Sequence, residues 1–323
     1  PASTAPYTLP FVGMLRCVEE RDAQFYVEAI GLFDGYAAIA GRSGGLERVR
    51  ILKDGGVSEY VKADESAYSM GLDVNAESDT DWLRYSYTSL AMPATTYELN
   101  VKTGERRELK RQPVPGYDPA NYVTERLWAT ARDGVKVPVS IVYRKGFAKD
   151  GKGALLQYGY GSYGASRDPG FSVTTVSLLD RGMAYAIAHI RGGQELGRRW
   201  YEDGKLFNKK NTFTDFIDVT RWLVKNNYAA KDRVAAMGGS AGGLLMGALG
   251  PVSGRLFDRI GPRPMMLPAS VVVAGVFWLL STIQPNTPWW FVMACHVVMS
   301  ACFAFMFTPL FTIALGSLPK HLY

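Results

Sequence analysis

The stretch that decides how this chain reads is "GGSAGGLLMGALGPVSGRLFDRIGPR", residues 238–263. Its first five residues, Gly238-Gly239-Ser240-Ala241-Gly242, have the spacing G-x-S-x-G. The apolar "RVAAM" before them reads as a strand, and "GLLMGAL" after them reads as a helix. A serine between a strand and a helix sits on a sharp, strained turn, where only small neighbours avoid a clash. Ser240 is therefore the candidate nucleophile, and the backbone N–H of Ala241 is a candidate donor to a developing oxyanion. The second half of the stretch has a different grammar. Gly254, Asp258, Arg259, Gly261 and Arg263 fit G-x-x-x-D-R-x-G-x-[RK], a tight loop in which Asp258 can cap a helix N-terminus or pair with an arginine.

Composition divides at the same place. The 323 residues are 47% hydrophobic and 20% charged, with a net charge of +6. Residues 249–323 carry one acidic residue, Asp258, and four basic ones, Arg255, Arg259, Arg263 and Lys320. Between Arg263 and Lys320 lie 56 residues without Lys, Arg, Asp or Glu. Within them, "MMLPASVVVAGVFWLLSTI" (265–283) and the run 289–318 are each long enough to span a bilayer, with "QPNTP" between them and a Trp pair at the second start. The flanking basic residues put both ends on the cytoplasmic side, so residues 1–263 are expected to be cytoplasmic and the membrane to be a partner of residues 265–318. The small, scattered net charge argues against nucleic acid. Cys17, Cys295 and Cys302 make no disulfide framework or metal spacing, and no metal or cofactor is expected. The opening "PASTAPYTLP" has no basic segment followed by an apolar one, and no initiator Met, so a signal peptide is not expected and a truncated N-terminus is.

Upstream of the elbow the chain changes rhythm once. Residues 1–122 carry short apolar runs broken by Asp34-Gly35, Gly44-Gly45 and Thr103-Gly104, the pattern of antiparallel strands. "YELNVKTGERREL" reads as a propeller-blade repeat, and at roughly 40–50 residues per blade the region holds two or three blades. "QPVPGYDPANY" (112–122) is a linker. Residues 123–248 start with a hairpin at Asp133-Gly134. Strand and helix then alternate: "GALLQYGYG", "VTTVSLLDRG", "MAYAIAHIRGG", "TFTDFIDVTRWLVKNN" and "RVAAM". That alternation predicts a parallel sheet with helices on both faces.

These motifs carry a resemblance. "ERLWATARDGVKVPVSIVYRKGF", "QYGYGSYGAS", "LLDRGMAYAIAHIRGGQELGRRWYEDGK", "NTFTDF" and "MGGSAGGLLMGA" resemble the prolyl oligopeptidase family of serine peptidases, and within it the oligopeptidase B branch. The resemblance covers about residues 35–248. It implies a β-propeller over an α/β-hydrolase domain and cleavage of short peptides after Lys or Arg. It makes Ser240 the nucleophile and Tyr160 a side-chain oxyanion donor beside the Ala241 N–H. Asp168 and Glu195 are candidates, by charge and position, for holding a basic substrate side chain. Arg191 is expected to pair with a buried carboxylate, and His189 to be a core histidine.

The hydrolase order is Ser, then Asp, then His. After Ser240 the sequence offers Asp258, His296 and His321, none in a context that orients it beside the serine. An incomplete triad loses on the order of a million-fold in turnover, so this chain alone is expected to be inactive. The loop motif at Gly254–Arg263 and the apolar runs after it resemble the major facilitator superfamily, whose members use about a dozen crossings with sites between two repeats. The expected architecture is thus mixed: partial propeller blades and linker (1–122), a truncated α/β-hydrolase (123–248) and a transporter-like segment with two membrane helices (249–323). A chimera joined within "GGLLMGAL" (242–249) explains it. The alternative functions are a fragment of a drug:proton antiporter and a membrane-anchored binding protein without catalysis.

Overall fold

The computed structural model describes residues 25–53, 58–239, 262–284 and, with breaks, 287–306. The chain divides into two compact units, Pro1–Leu245 and Met246–Tyr323.

The first unit opens with two antiparallel meanders of four strands. One comprises β1 (Tyr26–Phe33), β2 (Tyr36–Ser43), β3 (Leu46–Lys53) and β4 (Ser58–Tyr60), and the other β5 (Tyr68–Leu72), β6 (Trp82–Ser89), β7 (Thr95–Asn100) and β8 (Arg106–Arg111). Gly44 and Gly45 form the β2–β3 turn at φ 61° and 78°, a left-handed pair that glycine adopts without steric cost. The two sheets share one apolar core. Phe33 stacks on Tyr36 at 4.4 Å, and Val49, Ile51, Met70, Leu83, Tyr85 and Tyr97 are buried with them. Each fully buried large side chain here contributes about 1.5–3 kcal/mol. Two blades are thus present among the described residues.

The second part is one five-stranded sheet: β9 (Tyr122–Thr130), β10 (Lys136–Arg144), β11 (Ala154–Gly159), β12 (Met183–Ala188) and β13 (Val234–Met237), in the order β13-β11-β12-β10-β9. It is mixed, not wholly parallel. The hairpin at Asp133-Gly134 makes β9 and β10 antiparallel neighbours, and β10 runs antiparallel to β12, while β11 is parallel to β12 and β13. Three helices follow: α1 (Val173–Leu179), α2 (Arg198–Glu202) and α3 (Lys209–Lys225). α1 lies against β12, and α3 lies against β9. α3 buries Thr212, Asp215, Phe216, Val219 and Leu223, a stripe with the i, i+3, i+4 spacing of a helix covering a sheet. β10 is buried along seven consecutive residues, as a central strand should be, whereas Ala235, Ala236 and Met237 of β13 are exposed.

In the second unit the apolar run forms α4 (Pro262–Ser281). Among the described residues no helix is long and apolar enough to cross a membrane, so the crossing expected at 265–283 is not supported, and much of the run 289–318 lies outside the described residues. Pro268 lies inside α4 and removes a backbone hydrogen bond from its first half. Val273, Val276 and Cys295 are buried, with Cys302 half-buried, while Leu267, Val271 and Trp278 are exposed. Gly254, Asp258, Arg259 and Gly261 of the loop motif lie outside the described residues, as do Cys17, His296 and His321; Arg263 falls in the first turn of α4.

Candidate active site

Tyr158 of β11 pairs in parallel register with Met237 of β13. The chain therefore leaves both strands at the same end of the sheet. Two residues beyond Tyr158 is Tyr160, and three beyond Met237 is Ser240. Ser240 and Ala241 lie outside the described residues. The carboxyl ends of parallel strands are where α/β sheets hold ligands.

The Tyr160 loop is fixed by close backbone crossings. Gly161 (φ 61°) packs on the segment after β12, so that a Cβ on Gly192 (φ 102°) would fall 2.1 Å from the Gly161 carbonyl oxygen. A Cβ on Gly204 would fall 2.2 Å from the Gly192 nitrogen. Three glycines, from "GYG", "IRGG" and "EDGK", thus let three backbone segments touch. Gly164 N–H donates to Gly192 O at 3.0 Å, and Gly192 N–H donates to Trp200 O at 3.0 Å. The Arg167 guanidinium covers the Tyr160 ring at 4.5 Å.

Arg191, immediately before Gly192, meets its expected carboxylate. Its Nε and Nη2 donate to the two oxygens of buried Asp215 at 2.8 and 2.5 Å, and Nη2 also lies 2.7 Å from Asp133. Burial pushes the Asp215 carboxyl above its usual range, and Arg191 opposes that shift. The pair ties α3 and the β9–β10 turn to the end of β12.

His189 is buried, and its Nε2 lies 2.8 Å from the Ser140 hydroxyl. Burial, reinforced by nearby Arg126, pulls its pKa below the ordinary value, so it stays neutral at pH 7. Arg126 donates to Ser140 Oγ at 2.9 Å and to the Gly45 carbonyl at 2.8 Å. Burial lowers its guanidinium to about 10.

Asp168 and Glu195 are both engaged. Arg42 of β2 donates to the two oxygens of Asp168 at 2.6 and 2.7 Å, and also binds Glu28 and Glu47, each at 2.8 Å. Glu195 is 3% exposed. Its Oε1 accepts from the Arg167 backbone N–H at 2.9 Å and lies 3.8 Å from His189 Nδ1. A basic substrate side chain would have to displace Arg42 to reach Asp168. Arg42, Arg126 and Asp215 had no individual signal in the sequence, and Asp133 was marked only as a turn residue, because the pairs they form join segments set side by side by the fold. Among the described residues no group of three or more His, Cys, Asp or Glu could hold a metal ion.

Comparison with known proteins gives the context. Residues 169–260 match the prolyl oligopeptidase family, residues 14–112 match the prolyl oligopeptidase N-terminal β-propeller domain, and residues 215–323 match the major facilitator superfamily. The dipeptidyl aminopeptidase BI of Pseudoxanthomonas mexicana is 70% identical over 233 residues, 72% of this chain and 32% of that protein. Protease 2 of Moraxella lacunata is 41% identical over 271 residues, 84% and 38% of the two chains. Oligopeptidase B from Leishmania major superposes with a TM-score of 0.62 at 40% identity over 70% of this chain and 33% of that one. The Trypanosoma brucei oligopeptidase B with covalently bound antipain gives 0.63 at 36% identity, over 71% and 34%. The chain spans about a third of the length of these relatives.

Proposed function

We propose, from the matches of residues 14–112 and 169–260 to the two prolyl oligopeptidase family models, that this chain carries the nucleophile half of a serine peptidase acting on short peptides. Ser240 attacks the scissile carbonyl, and the Ala241 N–H and the Tyr160 hydroxyl stabilise the tetrahedral oxyanion. The observation that carries this reading is the register of β11 and β13, by which the chain leaves both adjacent parallel strands at the same end, β11 into the buttressed Tyr160 loop. Cleavage after Lys or Arg fits the likeness to oligopeptidase B.

Our reading has the 323 residues inactive by themselves. A serine hydroxyl needs a base. Of the three histidines, His189 is committed to Ser140 in the core, and His296 and His321 lie in or beyond the uncharged run. The test is a graft: residues 25–248 replace the corresponding segment of the Pseudoxanthomonas relative. Turnover of an Arg-containing reporter peptide, abolished by Ser240→Ala, is the expected result. A folded graft without turnover overturns the assignment. Reporters with a free and with a blocked N-terminus then separate release of dipeptides from internal cleavage. That second reading is favoured by the 70% identity to a dipeptidyl aminopeptidase.

We also infer that the chain joins two families. The peptidase match and the major facilitator match overlap over residues 215–260, which include the joint expected at 242–249. A single sequencing read of source DNA across codons 230–270 tests it: one unbroken frame supports a real fusion, and continuation into hydrolase strands rejects it.

A further inference from the structure

Lys209 opens α3 at a position where a cation is unfavourable. The amino end of a helix carries partial positive charge, yet α3 begins Lys209-Lys210, has no acidic residue in its first turn and has no side-chain cap from Asn208. A lysine that breaks a local rule in this way marks a place where function or tertiary contact overrides helix preference.

Its contacts show which. The half-buried Lys209 ammonium donates to the Gly161 carbonyl at 2.5 Å and to the Ser162 hydroxyl at 2.5 Å. Among the described residues it meets no carboxylate. The charged groups on the neighbouring elements are matched elsewhere: Arg191 by Asp215 and Asp133, and Lys205 by Glu202. The Gly161 carbonyl belongs to the residue that follows Tyr160, so holding it sets the direction in which the chain leaves Tyr160. The segments on both sides of the contact are strained. Tyr163 (φ 59°) and Leu206 (φ 46°) occupy the left-handed region that side chains avoid, and strain of this kind gathers at functional sites.

We propose that Lys209 is the positioning residue for Tyr160, its ammonium clamping the Gly161 carbonyl and the Ser162 hydroxyl so that the phenol is held on the oxyanion side of the site. This rests on Tyr160 being the side-chain oxyanion donor. The clamp is at full strength only while Lys209 is charged. Burial lowers Lys209 from the ordinary lysine value to about 8, which brings that transition toward neutral pH.

The test needs no turnover. In the full chain, labelled at tyrosine ring and lysine ε carbons, NMR follows both residues from pH 6 to pH 10, with Tyr160→Phe assigning the tyrosine signal. The expected result is a Tyr160 ring shift with the same midpoint as Lys209, near 8. Lys209→Met is expected to displace the Tyr160 signal and abolish its titration, while the remaining tyrosines stay in place. Lys209→Arg is expected to keep the wild-type position without titrating. A Tyr160 signal that ignores the Lys209 midpoint, or that is unmoved in a folded Lys209→Met protein, overturns the proposal. Should Lys209→Met fail to fold, the wild-type titration and Lys209→Arg still decide. The graft tests the peptidase reading separately, so an inactive graft with coupled titrations removes the oxyanion role and leaves only the coupling of Lys209 to Tyr160.

Discussion

Arg42 and Asp168, 126 residues apart in sequence, meet in a two-pronged ion pair at 2.6 and 2.7 Å that fastens the first blade to the loop after β11. The Arg42 side chain is 8% exposed and is shared with Glu28 and Glu47. Removing the cation leaves three carboxylates facing one another. Arg42→Met is expected to destabilise the first unit by about 3–5 kcal/mol, the scale for breaking a buried pair. Asp168→Asn keeps two carboxylates on Arg42 and is expected to cost about 1.5–3 kcal/mol. Urea midpoints at pH 7 compare the two, and equal effects would contradict the shared arrangement.

Gly192 and Gly182 separate steric from conformational cost. Both have positive φ, 102° and 82°, but a Cβ on Gly192 strikes the Gly161 oxygen, and one on Gly182 meets nothing within 4 Å. Gly182→Ala is expected to cost about 1–2 kcal/mol from the left-handed backbone alone. Gly192→Ala is expected to cost at least twice as much in thermal or urea unfolding, because backbone segments must part.

His189 makes stability fall with acid. Its folded pKa lies below the ordinary 6.5, so the unfolded chain binds the proton first. Its contribution is whole above pH 6.5 and is lost as pH falls from there through the folded value. His189→Gln is expected to flatten the wild-type decline in urea midpoint between pH 6.5 and 5. An unchanged slope would place the titration elsewhere.

Tyr160 tests the oxyanion assignment. In the active graft, Tyr160→Phe removes one hydroxyl donor and is expected to lower kcat by about 10²–10³ with KM little changed. A matching loss in KM alone would make the ring a binding surface and not an oxyanion donor.

Much of this protein was legible one segment at a time. Glycine-containing turn pairs marked the blade turns and the apolar spacing of "TFTDFIDVTRWLV" marked α3, because each depends on neighbours a few residues away; the turn expected at Ser240 lies outside the described residues. The Arg191–carboxylate pair was foreseeable in kind, since a buried guanidinium needs a partner, but not which aspartates supply it. Apolar content alone did not settle residues 265–283: the run is helical with Pro268 inside it, and among the described residues no helix is long and apolar enough to cross a membrane.

What the sequence by itself determined was local conformation and the chemistry available: strands, turns, a helix stripe and a tyrosine in a glycine-rich loop. Only the tertiary structure decided which charges meet. It gave Asp168 to Arg42, aimed Lys209 at the Gly161 carbonyl and buried His189 against Ser140. The reason is physical. Hydrophobic periodicity is written in adjacent residues, whereas an ion pair is specific only through distance and burial, and those exist once strands far apart in the chain have been set side by side.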